Sequence, residues 1–330
     1  MVGTKQRLNK FHINLQSPLA LIFIILALIF PIILKLDPFI FSLMQVIWLY
    51  IILSQSLNMF AGYAGYVCFG QAVFFGIGAY SATVFSVNTG LSLLLTWPFG
   101  GIIAAGLAAL IAYPFLRLRG LYFAIGTVTL TDVMKLIFLT LPYFGGPHGI
   151  LIQTLGLVFD PRTKYYIFHV LYGILAVITT YCVYLLPRTK LGLALLAIRE
   201  NEDVCGSVGI DATRVKIIGF ILSVIPAGLA GGLYVAYNMF IDPFTAFSTQ
   251  LSLFVLASAL LGGLGTTLGP ITGSIIFVLL SEELRFSLPV EYSTLHLVIF
   301  GFIVLLVVIF LRSGILGFIK SKYPHAKYLI

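Results

Sequence analysis

Apolar residues occupy this chain in continuous blocks of about 20, broken by short polar intervals. A helix of that length crosses the hydrocarbon core of a bilayer. Strands of a membrane barrel would instead alternate apolar and polar residues in shorter segments. The pattern predicts an all-α, polytopic helical membrane protein with about ten spans. They fall near 19–34, 39–60, 61–85, 91–116, 121–141, 166–186, 217–237, 247–261, 271–286 and 294–311. Residues 1–330 read as a single transmembrane domain.

The longest polar interval, 188–216, reads RTKLGLALLAIRENEDVCGSVGIDATRVK. It lies between two apolar runs that are each long enough to span, so it is a loop at a membrane face. From Leu193 to Val208 it lacks proline, and its cluster Arg199, Glu200, Asn201, Glu202, Asp203 is followed by Val204, Cys205 and Val208. That spacing predicts a short amphipathic helix. Gly209 stands where a helix C-terminus favours positive φ. Asp211 or Thr213 can cap the next helix, whose entry is marked by Arg214 and Lys216. Such a helix can transmit force between a soluble partner and the membrane.

Composition agrees with the span pattern. Of 330 residues, 60% are hydrophobic and 9% charged, with mean hydropathy +1.09; soluble domains carry roughly a quarter charged residues. The net charge of +8 does not point to nucleic acid, because basic residues in such chains mainly set topology. With the N-terminus in the cytoplasm, 14 of the 19 Lys and Arg fall on the inside. They lie before the first span, after the fourth, in the 188–216 loop and in a basic tail over 312–330. Both termini and that loop are therefore expected in the cytoplasm. The basic N-terminus followed by Lys35, Leu36, Asp37 and Pro38 reads as an uncleaved first span. Cys68, Cys182 and Cys205 are far apart and lack metal-ligand spacing.

A few polar residues inside the apolar blocks carry information. The third span holds Gly62, Gly65, Gly70, Gly76 and Gly78, which allow either close helix approach or an unwound stretch lining a cavity. Gln71, at the middle of that span, needs partners within the membrane and must face the bundle interior or a wet cavity. Asp132 and Lys135 lie one turn apart in the fifth span; either they neutralise each other or they serve a pathway. Glu282, Glu283 and Arg285 read as interfacial charges, and His148 as a solvated loop residue. No phosphate-binding G-x-x-x-x-G-K-[ST], no H-E-x-x-H and no G-x-S-x-G occurs. The spans also lack the dense carboxylates of proton-coupled carriers. A transporter of this composition must draw its energy from a partner.

Several stretches, taken together and in order, resemble one family. Asn58-x-x-Ala61-Gly62-Tyr63-Ala64-Gly65, continuing through Phe69-Gly70-Gln71-Ala72 to Phe74-Phe75-Gly76-Ile77-Gly78-Ala79-Tyr80, is one. Leu118-Arg119-Gly120-Leu121-Tyr122 and Gly145-Gly146-Pro147-His148-Gly149 are two more. Ala197-Ile198-Arg199-Glu200-Asn201-Glu202, then Gly209-Ile210-Asp211-Ala212-Thr213-Arg214, and the glycine-rich Gly262-Gly263-Leu264-Gly265-Thr266-Thr267-Leu268-Gly269-Pro270 complete the set. The chain thereby resembles LivM-type permease subunits of branched-chain amino-acid ABC importers. It departs from that pattern at Gln71, where the family has His, and at Asp203-Val204-Cys205, where importer coupling helices have E-A-A.

The resemblance implies a non-enzymatic transport subunit without cofactor or metal, seated in the lipid bilayer of the cell membrane. It implies pairing with a LivH-type homologous permease, two cytoplasmic ABC ATPases beneath and an extracytoplasmic substrate-binding protein above. Coupling to the ATPases would fall to Arg199, Glu200, Glu202, Asp203 and Gly209. The translocation pathway would run near Asn58, Gly65, Gln71 and Asp132. A permease for urea or short amides, and an ion-coupled secondary carrier, are the alternative readings.

Overall fold

The computed structural model describes residues 37–152 and 160–287, together with Ala27, Gly301, Phe302, Gly314 and Ile315. The first and last expected spans, 19–34 and 294–311, and the 312–330 tail lie almost wholly outside the described residues. Within them the chain is a helical bundle. Helix α1 (Pro38–Ala64) is followed by α2 (Gln71–Thr89), α3 (Leu93–Phe115), α4 (Leu121–Thr140) and α5 (Pro161–Leu185). Then come the loop helix α6 (Lys190–Cys205), α7 (Ala212–Asn238), the short α8 (Pro243–Ala246), α9 (Thr249–Gly262) and α10 (Leu268–Ser287). Seven segments among the described residues are long and apolar enough to cross a membrane: α1 to α5, α7, and α8 with α9 taken together. Helix α10 is as long but carries Glu282, Glu283 and Arg285 near its end.

The boundary between the second and third spans differs from the sequence reading. The turn expected at 60/61 lies four residues later. Helix α1 runs on to Ala64 and stops at Gly65, whose φ of 78° closes the helix with its N–H bonded to Ala61 O at 3.1 Å. Residues 65–70 are non-helical, and Gln71 is then the first residue of α2, not the middle of a span. The expected eighth span, 247–261, is α9, and the separate short α8 precedes it. Asp242 caps α8 by accepting from the backbone N–H groups of Phe244 and Thr245, and Ser248 caps α9 by accepting from Leu251 N.

The bundle centre is a glycine seam where α2, α3 and α7 meet. A Cβ at Gly100 would lie 2.7 Å from the carbonyl oxygens of both Gly78 and Gly228, and one at Gly232 would lie 2.6 Å from Trp97 O. Backbones touch there because no side chain intervenes, which is how helices gain packing energy where lipid cancels the hydrophobic drive. Around the seam Phe74, Phe123 and Phe220 close the core on the α6 side, and Tyr80, Phe138 and Phe247 on the other. On that far side two residues of β1 (Ile150–Leu151) pair antiparallel with β2 (Phe240–Ile241), joining the connection after α4 to the end of α7.

Candidate functional site

Helix α6 is built by local signals and then strapped to the bundle by long-range ones. Thr189 caps it, its Oγ1 accepting from Gly192 N at 3.1 Å. Leu195 and Ile198 are buried against the bundle, and Leu195 rests on Gly219 of α7. At Asn201 the backbone opens to φ −162°, ψ 104°, and the Asn201 side chain caps the final turn by accepting from Asp203 N and Val204 N. The loop helix is thus two helical pieces joined at Asn201. Gly206–Val208 form one 3-10 turn, and Gly209 takes φ 82°. Of the two caps considered for the next helix, Asp211 serves: its Oδ1 accepts from Arg214 N at 3.1 Å.

The polar cluster of α6 divides by direction. Arg199, exposed along part of its length, reaches the end of α1 and donates to Gly62 O at 2.6 Å. It fits because Gly65 has no side chain; a Cβ there would sit 3.2 Å from Arg199 Cγ. Above it Asn58, fully buried, accepts from Gly265 N at 2.7 Å and donates to Thr266 O at 2.8 Å, while Gln55 donates to Thr267 O at 2.7 Å. The side chains of α1 therefore clamp the 263–267 glycine loop, and Arg199 anchors α6 to the same place. Glu202 also points inward. Its Oε1 accepts from Lys216 Nζ at 2.7 Å and its Oε2 from the Tyr66 hydroxyl. Lys216, with 4% of its side chain exposed, further donates to Leu116 O at 3.1 Å and Tyr66 Oη at 3.2 Å. Arg119 joins at the rim, 3.6 Å from Glu202 and 2.9 Å from Asp203.

This network tunes its members. Burial pushes the Glu202 carboxyl up, but hydrogen bonds from Lys216 and Tyr66 and the charges of Lys216 and Arg119 outweigh it and hold the group below its ordinary value. Burial, then the bond to Glu202, raises the Tyr66 phenol. So four segments meet at one ionised node: the 65–70 turn, the 116–120 connection, α6 and the start of α7. Glu200, Asp203, Val204 and Val208 face away from the bundle. Val204 is 52% and Val208 72% exposed, one helical turn apart. An open cleft of about 270 Å³ beside the node is lined by Gly65, Tyr66, Val67, Gly120, Leu121 and Ala124.

Among the described residues, the four expected to line a pathway have separate local surroundings. Asn58 is spent on the glycine loop, and Gly65 is the α1 cap beside Arg199. Gln71 is buried, with its Oε1 unpartnered among the described residues. The next residue, Ala72, donates its N–H to Ser252 of α9 at 2.9 Å. Asp132 lies one turn further along, where Lys135 Nζ donates to it at 2.9 Å and Thr249 Oγ1 at 3.3 Å. Tyr66 and the partnership of Lys216 with Glu202 were not legible in the sequence, because their spacing spans separate helices. Among the described residues no group of three His, Cys, Asp or Glu could hold a metal ion.

A bundle of bilayer-length apolar helices with a polar helix bound beneath it defines a multi-pass protein of the cell (plasma or inner) membrane. Residues 39–308 match the family model described as the branched-chain amino acid transport system permease component, and the chain belongs to that family. It is 29% identical over 308 residues to the high-affinity branched-chain amino acid transport system permease protein LivM of Salmonella typhimurium, covering 84% of this chain and 71% of that one. It is 29% identical over 299 residues to LivM of Escherichia coli, covering 83% and 69%. Over 124 residues it is 32% identical to the probable branched-chain amino acid transport permease protein LivH of Methanocaldococcus jannaschii, 38% of each chain. No solved structure matches the chain significantly.

Proposed function

We propose that this chain is the membrane-spanning permease subunit of an ABC importer, carrying branched-chain amino acids by alternating access driven by separate ATPases. Family membership supports the substrate class. The observation that carries the mechanism is the two-sided α6. Its inner face is tied by Arg199 to α1, and by Glu202 to Lys216 of α7, to Tyr66 and to Arg119 in the connection between α3 and α4. Its outer face offers Glu200, Asp203, Val204 and Val208.

In this reading the α6 end faces the cytoplasm, as do both termini of a ten-span chain forming one domain. Residues 188–216 are the coupling loop and 312–330 a basic tail. Arg117, Arg119, Arg188, Lys190, Arg199, Arg214 and Lys216 then all lie inside, which agrees with positive charge retained in the cytoplasm. Glu200 and Asp203 meet an ATPase. Arg199 and Glu202 pass its movement to the spans, and Gly209 sets the turn that orients α6. The likeness to a LivH protein over part of the chain favours pairing with a homologous permease. An extracytoplasmic binding protein delivers substrate to the opposite end.

The test is reconstitution in liposomes with the co-purifying subunits. Leucine uptake should require ATP, the second permease and the binding protein. Uptake that persists without ATPases would sink this reading and favour a secondary carrier.

A further inference from the structure

We infer that Asp132 and Lys135 form the head-group site for a zwitterionic substrate, Asp132 receiving the α-ammonium and Lys135 the α-carboxylate. The inference rests on the import reading above and goes further by assigning the recognising atoms. Asp132 is the twelfth residue of α4, about 17 Å along a helix about 30 Å long, so the pair lies within the span and away from both of its ends. There Asp132 leaves 51% and Lys135 27% of its side chain exposed within this chain. Charges at that depth are not left against lipid tails; they face water, a ligand or another protein surface.

The surroundings indicate a ligand. Thr249 of α9 adds a hydroxyl at 3.3 Å from Asp132. One turn along α9, Ser252 holds Ala72 N, and the neighbouring Gln71 buries an amide oxygen that has no partner among the described residues. A polar line thus leads from the start of α2 to the ion pair. Val133, Leu136 and Ile137, exposed beside the pair on the same helix, are apolar.

The chemistry matches an amino-acid head group. Two opposite charges 2.9 Å apart present the electrostatic complement of an ammonium and a carboxylate on one carbon. With no ligand, the pair neutralises itself, so an empty site costs little. A ligand with both charges can open the pair and satisfy each partner by a charge-assisted hydrogen bond. A ligand with one charge leaves the other protein charge stranded, which disfavours amides and simple carboxylates.

The test separates recognition from a purely structural pair. In the complete reconstituted complex, D132K/K135D keeps an ion pair at the same spacing but reverses its polarity. We expect it to assemble and to hydrolyse ATP when loaded binding protein is added, while leucine uptake per ATP falls about tenfold or more. Uptake within about twofold of the parent would overturn the proposal, since a structural pair tolerates reversal. Should the swapped chain not assemble, D132N/K135M decides in the same way: uptake near the parent value overturns the proposal, and a similar loss with ATPase intact supports it. Absence of ATP-driven uptake in the unaltered complex is a separate result, and it would count against the importer reading instead.

Discussion

Replacing Glu202 by Gln removes one charge from the node beneath the bundle and leaves its shape intact. The magnitude follows from burial. Lys216 exposes 4% of its side chain and Glu202 17%, with 2.7 Å between their charged atoms. Removing one partner of a buried pair typically costs about 3–5 kcal/mol. Here the cost is reduced, because Gln still offers an acceptor and Lys216 keeps Leu116 O and Tyr66 Oη. We expect about 2–3 kcal/mol. Asp203→Asn breaks only the exposed pair with Arg119 and should cost less than about 1 kcal/mol. Unfolding titrations in mixed micelles measure both. Equal effects from the two variants, within about 0.5 kcal/mol, would refute the argument that the buried node, and not charge alone, carries the stability. A cycle with Lys216→Met should show positive coupling with Glu202→Gln. The pH dependence has a definite sign. The Glu202 carboxyl is held below the ordinary glutamate value in the folded chain, although burial alone would raise it, because its hydrogen bonds and nearby cations outweigh burial; its contribution is therefore complete above the ordinary glutamate range and is lost as pH falls through the lowered value. Glu202→Gln should flatten that acid limb.

Three further substitutions test other parts of the fold. Gly228→Val places a side chain against Ala104 Cβ and Gly100 O at the helix seam; the chain should lose assembled yield in detergent, as overpacking costs about 1–3 kcal/mol or more. Gly209→Ala strains a φ of 82° by about 1 kcal/mol and should reduce ATPase-coupled uptake, whereas Gly209→Asn, which tolerates that conformation, should retain more. Asn58→Ala strands Gly265 N and Thr266 O. It should destabilise the chain by about 1–3 kcal/mol and raise proteolysis in the 263–267 loop without altering Asp132.

What was legible in the sequence was local. Gly209 and Asp211 act within a few residues of themselves, and their turn and cap could be read from residue type and position. The spans were legible because a bilayer demands apolar length, and α3, α4 and α7 fall close to expectation. The break after α1 was misplaced because Ala61, Tyr63 and Ala64 are as apolar as the span before them. Only the conformation of Gly65 marks the stop. The hydrogen-bond partners of Asn58 were not legible, since they lie more than 200 residues away. Lys216 read as a topology marker, and only folding brings Glu202 and Tyr66 to it.

The glycine seam has a mechanical consequence. Where α2, α3 and α7 meet backbone to backbone, no side-chain layer is left to shear, so the three helices must travel as one stiff block. Compliance has to come from elsewhere, and the junction at Asn201 and α4, which packs lightly on its neighbours, are placed to give it. A push delivered to α6 would then reach the block through the Glu202–Lys216 pair of α7, with Arg199 holding α6 to α1 and α4 as the part that yields.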